Sequence, residues 1–561
     1  MHDGGLRKGL TSYGDAGFSL FLRKAFVKAS GYSDDALNRP IVGITNTFSD
    51  YNPCHGNVGD LIESVKRGVL LAGALPMVFP TISIGESFAH PTSMFLRNLM
   101  AMDTEEMIRA QPMDAVVLIG GCDKTLPAQV MAAASVNLPA IVVPTGPMVV
   151  GHYRGEVLGA CTDCRRLWAQ HRAGNISEAE INVISGRLAP SVGTCMVMGT
   201  ASTMACMLEA MGLSLPMSAT APATHADRRR IAEASGKRAA DLAVAGSPLP
   251  SSLITAASVR NAMAVLQAIG GSTNGLIHLT AIAGRAGVNI DLEAFDQIGR
   301  QVGLWLNLKP SGTYYMEHFH HAGGVPALMR QIASSLDLSA PSVAGGTMRD
   351  AVAAAEEVPG QEIIRKLSDQ ASIAVLRGNL APAGAVIKQS AASANLTRHT
   401  GRAVVFDSVA DMAAGIDQPD LEVSADDILV LRNAGPKGAP GMPEAGYLPI
   451  PKKLARQGVK DMVRISDARM SGTAFGTIVL HVTPESAVGG PLAIVQTGDR
   501  IHLDVEARTI ELLVDREQIE QRLRHLAPRK AVANRGYAKL FEEHVLQADQ
   551  GCDFDFLRRE G

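Results

Sequence analysis

The sequence is poor in charged and aromatic side chains. Only 19% of its 561 residues are charged and 4% are aromatic, whereas soluble proteins average about 25% charged residues. The 52 basic and 55 acidic residues leave a net charge of -3, and no long run carries one sign, which argues against nucleic acid or an anionic membrane as the main partner. The low charged fraction also indicates that much surface is hidden, so we expect a homo-oligomer.

The chain also lacks long apolar runs and a disulfide framework. Its apolar segments, such as residues 68–76, are interrupted by Pro, Gly or charge well before the ~18 residues that a membrane span requires. The start of the chain has no apolar segment behind a basic one, so no secretory signal is expected. Seven cysteines at irregular spacing fit a reducing compartment. We therefore predict a cytoplasmic protein with no membrane partner.

The first part of the chain has the pattern of a parallel sheet covered by helices. Between about residues 40 and 215, short β-branched runs alternate with longer helical stretches, which is typical of α/β proteins. The predicted strands are residues 41–45, 78–83, 115–119 and 140–143. The predicted helices are residues 58–72, 94–107, 126–134 and 196–211. Residues 225–370 are predicted to be mainly helical.

The composition changes near residue 370. Beyond it, short strand-like segments are separated by Gly and Pro turns, which indicates a β-barrel or a β-sandwich. Helical periodicity returns from residue 516. We therefore predict an α/β domain with a parallel sheet at residues 1–370, followed by a β-barrel domain at residues 371–561. The predicted barrel strands are residues 403–406, 428–431, 477–482, 501–505 and 509–514.

Three cysteines share one local setting. Cys54 and Cys122 each follow a predicted strand, and Cys195 directly precedes a predicted helix. In an open α/β sheet such loops gather at the carboxyl edge, where ligands bind and helix N-termini stabilise thiolates. Three convergent thiolates suggest an iron-sulfur cluster with one open iron, a Lewis acid. On spacing alone the alternative, three small buried side chains, is the commoner situation for free cysteines.

Cys161 and Cys164 form a CxxC motif. A zinc site requires four ligands, and no second CxxC or His pair lies at suitable spacing. The segment looks helical, so we interpret both thiols as structural. Cys206 and Cys552 receive the same interpretation.

Several acidic residues follow predicted strands or lie in a Gly/Pro-rich loop. Hard oxygen ligands in such loops suit Mg²⁺, which keeps open positions for substrate oxygens. Taken singly, each acid is more often a helix cap or a solvated charge. The residues concerned are Glu86, Asp123 with its neighbour Lys124, and Glu444.

Ser471 precedes Gly472 after a predicted strand, where a tight turn could hold its hydroxyl clear of the backbone. No His lies nearby in the sequence, so a Ser-His hydrolase is not supported. A serine activated by a neighbouring metal or cation stays open, as does an ordinary Ser-Gly turn.

Two longer motifs resemble those of a known family. The segment Cys122-Asp-Lys-Thr-Leu-Pro-Ala128 is similar to the first signature of the dihydroxy-acid and phosphogluconate dehydratases, and Ser466-Asp-Ala-Arg-Met-Ser-Gly472 is similar to the second. Further similar stretches include residues 193–203 and 308–312. The resemblance runs from about residue 14 to residue 557, with its motifs in the family's order.

Within that family, the sequence resembles the sugar-acid branch, the pentonate dehydratases. In the second signature the branched-chain enzymes usually have Thr-Asp-Gly, whereas this chain has Ser466-Asp-Ala468. That departure weakens a role in valine and isoleucine synthesis. The stretches that resemble pentonate dehydratases are residues 85–93, 97–103, 162–166 and 545–556.

The resemblance implies two cofactors and an assembly. It implies a [2Fe-2S] cluster on Cys54, Cys122 and Cys195, although three cysteines alone do not separate [2Fe-2S] from [4Fe-4S]. It also implies a homodimer or homotetramer with an N-terminal α/β domain and a C-terminal β-barrel. The implied Mg²⁺ ligands are Glu86, Asp123, Glu444 and a carbamylated Lys124.

The implied reaction removes water from a 2,3-dihydroxy sugar acid to give a 2-keto-3-deoxy acid. Ser471 is expected to take the C2 proton, and Thr473 to position substrate hydroxyls. The rival substrates are branched-chain dihydroxy acids and 6-phosphogluconate; the latter calls for a basic phosphate pocket, for which no motif is identifiable. A rival of another class is an iron-sulfur electron carrier or redox sensor.

Overall fold

A four-stranded parallel sheet organises the N-terminal part of the chain. The computed structural model describes residues 4–10, 13–527 and 532–559. The strand order is β2-β1-β3-β4, and β3 is buried along its whole length, as expected for a sheet covered on both faces. The strands are β1 (Ile41–Asn46), β2 (Leu75–Pro80), β3 (Ala115–Gly120) and β4 (Ala140–Pro144).

Helices cover this sheet and fill the middle of the chain. Asp15 caps the first helix through its carboxylate, and Ser272 caps the helix that begins at Thr273 through its hydroxyl. The first eight helices are α1 (Ala16–Ala29), α2 (Val58–Leu71), α3 (Ser93–Ala110), α4 (Thr125–Val136), α5 (Thr162–Arg172), α6 (Glu178–Leu188), α7 (Thr200–Ala210) and α8 (Ala226–Ala245). The next seven are α9 (Pro250–Leu253), α10 (Ala256–Ala268), α11 (Thr273–Arg285), α12 (Leu292–Val302), α13 (Met316–His321), α14 (Gly324–Gln331) and α15 (Met348–Ala353).

Two small antiparallel pairs interrupt the helices, and neither was predicted. A hairpin formed by β5 (Gly151–Tyr153) and β6 (Glu156–Leu158) precedes α5. A second pair joins β7 (Leu304–Leu306) to β8 (Ile364–Ser368).

The C-terminal part is a closed eight-stranded barrel. Around the barrel the strand order is β10-β14-β13-β12-β11-β15-β16-β9. Small and branched side chains such as Leu376, Ile465 and Ile501 form a buried cluster, as expected for a barrel of this size. The strands are β9 (Ala374–Gly378), β10 (Ala381–Ile387), β11 (Arg398–Phe406), β12 (Ile428–Leu431), β13 (Arg464–Ser466), β14 (Ile478–Thr483), β15 (Arg500–Asp504) and β16 (Thr509–Leu512). The helices are α16 (Val409–Gly415), α17 (Lys452–Arg456), α18 (Arg516–Arg524) and α19 (Gly536–His544).

The predicted fold class, a parallel-sheet α/β domain followed by a β-barrel, is confirmed, and the closed barrel decides against a sandwich. Several boundaries were wrong. The barrel strand predicted at 403–406 is β11, which begins at Arg398. The strand predicted at 78–83 is β2, which begins at Leu75, and the helix predicted at 196–211 is α7, which begins at Thr200. Residues before Thr200 are not helical because their backbone groups bond to other segments: Met198 N donates to the Lys309 carbonyl, and Met316 N to the Met196 carbonyl. Among the described residues, no helix has the length and apolar character needed to cross a membrane.

Candidate active site

The three loops that carry Cys54, Cys122 and Cys195 meet at the carboxyl edge of the sheet. Cys54 lies in a short 3₁₀ turn after β1, and Cys122 lies between β3 and α4. His55 joins these two loops because its Nε2 accepts hydrogen bonds from the backbone N–H groups of Gly121 (2.9 Å) and Cys122 (3.2 Å). The third loop joins them through the N–H of Gly193, which donates to the Pro53 carbonyl at 3.2 Å.

His55 is a neutral, fixed part of this junction. It is fully buried, and burial lowers its pKa to about 4. Its Nδ1 lies 2.7 Å from the Thr47 carbonyl oxygen, an acceptor, which assigns the proton to Nδ1 and leaves Nε2 as the acceptor described above. The ring therefore sets the relative position of the Cys54 and Cys122 loops.

The thiols of the three predicted cysteines form one cluster. The side chains of Cys54 and Cys122 are in hydrogen-bonding contact, which together with burial raises the pKa of Cys122 well above its ordinary value. Contact with Cys161 and burial raise the pKa of Cys195 in the same way, with smaller contributions from Cys54 and Cys122. Packed thiols of this kind lose protons readily only beside a cation or a metal.

A fourth thiol belongs to this cluster, and the sequence interpretation missed it. The Sγ atoms of Cys161 and Cys195 lie 3.1 Å apart. Cys161 precedes α5 with a φ of 74°, and the Thr162 N–H donates to the Ala160 carbonyl across it. Within the CxxC motif, the Cys164 sulfur accepts from the Cys161 backbone N–H at 3.1 Å. The position of Cys161 just before a helix, the setting shared by the other three, was the available signal.

Three carboxylates converge beside the thiols. One oxygen from each of Glu86, Asp123 and Glu444 lies within 4.8 Å of the others. Lys124 is fully buried among them, with Nζ 2.6 Å from Asp123 Oδ2 and 3.4 Å from Glu86 Oε2. Glu86 lies at the N-terminus of α3, where the Thr92 and Ser93 hydroxyls donate to it and the helix dipole favours a negative charge.

Arg469, which sequence reasoning did not single out as a site residue, joins the two parts of the chain at this point. Its buried guanidinium contacts Glu444 Oε1 through Nη1 at 2.6 Å and Glu86 Oε1 through Nη2 at 3.0 Å. Burial alone would raise the pKa of Glu86, but the charges of Arg469 and Lys124 hold it well below its ordinary value. Burial raises the pKa of Glu444 despite the attraction of Arg469. Two buried cations, Lys124 and Arg469, therefore hold the three carboxylates together.

The thiol and carboxylate clusters adjoin the loop that carries Ser471. Cys122 Sγ donates to Asp123 Oδ1 at 3.4 Å, which joins the two clusters. The Ser471 and Thr473 hydroxyl oxygens are 2.8 Å apart. The carbonyl of Thr473 accepts from the Thr162 hydroxyl at 3.1 Å, next to Cys161. All of the predicted site residues therefore belong to one region.

The Ser471 loop is held tightly from two sides. Asn274, in the first turn of α11, donates to the Met470 carbonyl at 3.1 Å. A Cβ at position 472 would lie 2.5 Å from the Ser272 Cβ and 3.0 Å from the Thr200 backbone nitrogen, so only glycine fits. The Lys388 side chain, fully buried, donates from Nζ to the Gly472 carbonyl at 3.0 Å, and burial lowers its pKa to about 7.

Two family models match almost the entire chain. The model of the dihydroxy-acid/6-phosphogluconate dehydratase N-terminal region matches residues 39–351, and that of the C-terminal region matches residues 361–552. These matches identify the chain as a dehydratase, in which a thiol cluster adjoins a carboxylate cluster. The chain belongs to the dihydroxy-acid/6-phosphogluconate dehydratase family.

Relatives within the family differ in their similarity to this chain. The chain is 47% identical to the L-arabonate dehydratase of Azospirillum brasilense, over 96% of this chain and 94% of that protein. It is 46% identical to the 6-deoxy-6-sulfo-D-gluconate dehydratase of Pseudomonas putida, over 94% and 92%. It is 35% identical to the dihydroxy-acid dehydratase of Thermodesulfovibrio yellowstonii, over 94% and 97%. The sugar-acid dehydratases are thus the more similar of these, as the sequence motifs predicted.

Proposed function

We propose that this enzyme dehydrates a 2,3-dihydroxy sugar acid to a 2-keto-3-deoxy acid. The observation that carries the proposal is the single region in which thiols, carboxylates and the Ser471 loop adjoin, joined by the Cys122–Asp123 contact of 3.4 Å. The greater identity to dehydratases named for L-arabonate and 6-deoxy-6-sulfo-D-gluconate supports an aldonic acid over a branched-chain dihydroxy acid.

The carboxylate cluster fits Mg²⁺. Three carboxylates within 4.8 Å of one another supply the hard oxygen ligands that Mg²⁺ prefers. An unmodified Lys124 ammonium would compete with the ion at this position, whereas carbamylation would convert it to a further anionic oxygen ligand. We therefore assign Glu86, Asp123, Glu444 and a carbamylated Lys124 to the Mg²⁺.

The thiol cluster fits an iron-sulfur cluster. Cys54, Cys122 and Cys195 come from three loops that are tied together through His55 and Gly193, and their thiols are in mutual contact or close proximity. Thiolates are the usual protein ligands of such clusters. We assign these three cysteines to a [2Fe-2S] cluster, the type that the sugar-acid branch implies.

When bound, Mg²⁺ and the cluster supply two Lewis acids, one for the substrate carboxylate and C2 hydroxyl and one for the departing C3 hydroxyl. The protein must then remove the C2 proton, which is weakly acidic because it stands beside a carboxylate. The Oγ of Ser471, ionised by its surroundings, takes this proton to become a neutral hydroxyl, and the Thr473 hydroxyl, 2.8 Å from it, orients the serine and the substrate hydroxyls. Lys388 acts as a positioning residue, because its Nζ fixes the Gly472 peptide behind the serine.

A substrate panel tests this function. Protein purified without oxygen would be assayed for 2-keto acid formation from L-arabinonate, D-xylonate, D-gluconate, D-glycerate and 2,3-dihydroxyisovalerate. We expect an aldonic acid to be turned over with the highest kcat/KM. Preference for 2,3-dihydroxyisovalerate would overturn the sugar-acid assignment, and no turnover of any of the five would overturn the assigned substrate class.

We also propose a self-associating, cytoplasmic protein with a domain boundary at residue 370. Phe18, Phe21 and Phe26 on α1 are exposed, which supports a homodimer or homotetramer that covers them. All seven cysteines are free, which suits a reducing compartment. The domain boundary at residue 370 falls between β8, which still pairs with β7, and β9, which is the first barrel strand in the chain. Light scattering of the purified protein tests the assembly.

A further inference from the structure

Two histidines and an aspartate meet outside the residues assigned to the proposed active site. His225 caps the N-terminus of α8, Asp227 lies in the first turn of that helix, and His320 lies on α13. Asp227 Oδ2 is 2.9 Å from His225 Nδ1 and 3.4 Å from His320 Nε2. One ligand atom from each of the three residues lies within 4.8 Å of the others.

We propose that His225, Asp227 and His320 form a second metal site, which binds Zn²⁺. In a tetrahedral site with ligand bonds of about 2.0–2.1 Å, the ligand atoms stand about 3.3–3.5 Å apart. The 3.4 Å separation between Asp227 Oδ2 and His320 Nε2 matches that spacing before any metal is bound, whereas the 2.9 Å separation from His225 Nδ1 would have to lengthen by about 0.5 Å. Two imidazoles and one carboxylate suit zinc, whereas Mg²⁺ prefers oxygen ligands alone.

The surroundings of His320 prepare it as a ligand. Its Nδ1 lies 3.1 Å from the Thr220 hydroxyl, so Nδ1–H can donate there and leave the Nε2 lone pair towards Asp227. An outer hydrogen bond of this kind orients most metal-binding histidines.

The remaining groups define the site's limits. Arg230 forms an ion pair with Asp227 Oδ1 and leaves Oδ2 to face the histidines. Its charge opposes a bound cation, so Arg230 weakens the site. The His321 ring centroid lies 6.3 Å from that of His225, so we assign the fourth position to His321 or to water.

A metal here would join α8 to α13. The first residue of α13, Met316, donates its backbone N–H to the Met196 carbonyl, next to Cys195. The ion would thus fix a segment that leads to the proposed cluster, and we assign it a structural role. Binding to the folded state alone raises stability by mass action.

The test is a zinc titration of full-length, cluster-loaded protein in the presence of saturating Mg²⁺. We expect the wild-type protein to bind one more Zn²⁺ per chain than the His225→Ala and His320→Ala variants, and its unfolding midpoint to rise with Zn²⁺. The matched control, His318→Ala on the same helix, should bind as the wild type does. Arg230→Gln should bind Zn²⁺ with a lower Kd.

Cobalt absorption identifies the ligands independently of activity. Co²⁺ at this site should show no thiolate-to-cobalt charge-transfer band, whereas Co²⁺ on the cysteines would show one. Equal Zn²⁺ stoichiometry in wild type and His225→Ala, or a thiolate band from the bound Co²⁺, would overturn the proposal. His225 is exposed, so we expect His225→Ala to fold. That variant alone tests the proposal if His320→Ala fails to fold.

Discussion

The Lys388 ammonium donates a hydrogen bond of 3.0 Å to the carbonyl of Gly472, the residue that follows Ser471. Lys388 is fully buried, and burial lowers its pKa from 10.5 to about 7. Because water is excluded from this position, the positive charge of Lys388 strongly stabilises negative charge on nearby groups of the Ser471 loop. The contact thus links the barrel strand β10, which ends just before Lys388, to the loop that carries the proposed base.

The same pKa predicts how stability depends on pH. Because the folded-state pKa of Lys388 lies below the unfolded value, the unfolded chain binds more protons between pH 7 and 10.5, and the penalty from Lys388 falls as the pH rises through that window. Each pKa unit corresponds to about 1.4 kcal/mol. Lys388→Met should therefore stabilise the chain most below pH 7, with a gain that shrinks towards pH 10. Urea unfolding of both proteins at several pH values measures this, and a gain independent of pH would contradict it.

Lys388→Met should also lower activity through kcat. Loss of the ammonium leaves the Gly472 carbonyl without its donor and Ser471 without its nearby positive charge, and removal of one such electrostatic donor costs about 10²-fold in kcat. KM should change little, and Lys388→Arg should restore part of the loss because it keeps the charge. If KM rises in the Lys388→Met variant while kcat stays unchanged, Lys388 would instead be assigned to substrate binding.

Ser471→Ala should abolish turnover while both metals stay bound. A general base contributes about 10² to 10⁴-fold, and Ser471 is not among the proposed metal ligands. The checks are kcat together with iron and magnesium content. Thr473→Ser, which keeps the hydroxyl, is the matched control and should retain most activity. Normal turnover by the Ser471 variant would remove this residue from the mechanism.

Cys122→Ser should lose the iron-sulfur cluster, since it removes one of three proposed thiolate ligands. Cys164→Ser is the control, because the Cys164 sulfur accepts a hydrogen bond from the Cys161 backbone and serine can replace that acceptor. Visible absorption and iron content after anaerobic purification distinguish the two variants. A coloured, iron-replete Cys122 variant would refute the ligand assignment.

Arg469→Met should make folding depend on Mg²⁺. The substitution leaves the buried Glu86 and Glu444 carboxylates without their shared cation, and breaking a buried ion pair costs about 3–5 kcal/mol. A bound Mg²⁺ supplies positive charge beside the same carboxylates. The substitution should therefore lower the stability of the folded protein less at high Mg²⁺ than in EDTA. Thermal unfolding in both conditions measures the difference, and equal losses would argue against a metal between these carboxylates.

Local sequence patterns were sufficient for the fold class and for much of the site. Alternating β-branched runs predicted β1, β3 and β4 to within a residue or so, and β12 at 428–431, because those strands are buried and bounded by turns. Three barrel strands, β9, β10 and β13, were missed. Strand β13 has only three residues, and β9 and β10 contain Gly or Pro, which in a sequence pattern indicate turns.

The residues that were missed depend on contacts between distant segments. Arg469 meets Glu86 across 383 positions of the chain, and Lys388 meets Gly472 across 84. Arg469 lies within the second signature, Ser466–Gly472, but that motif gives no indication that its guanidinium reaches Glu86, and Lys388 lies in none of the motifs. The contact between Cys161 and Cys195 was not expected, because a CxxC motif directs attention to its own two thiols, whereas the fold places the Cys161 sulfur 3.1 Å from that of Cys195.

The most direct test compares one protein preparation in two states, with the cluster intact and after anaerobic removal of iron, each with Mg²⁺ and the best sugar acid of the panel. The iron-containing protein should form the 2-keto-3-deoxy acid, lose that activity when iron is removed, and regain it when the cluster is rebuilt. Undiminished dehydration by colourless, iron-free protein would contradict this prediction.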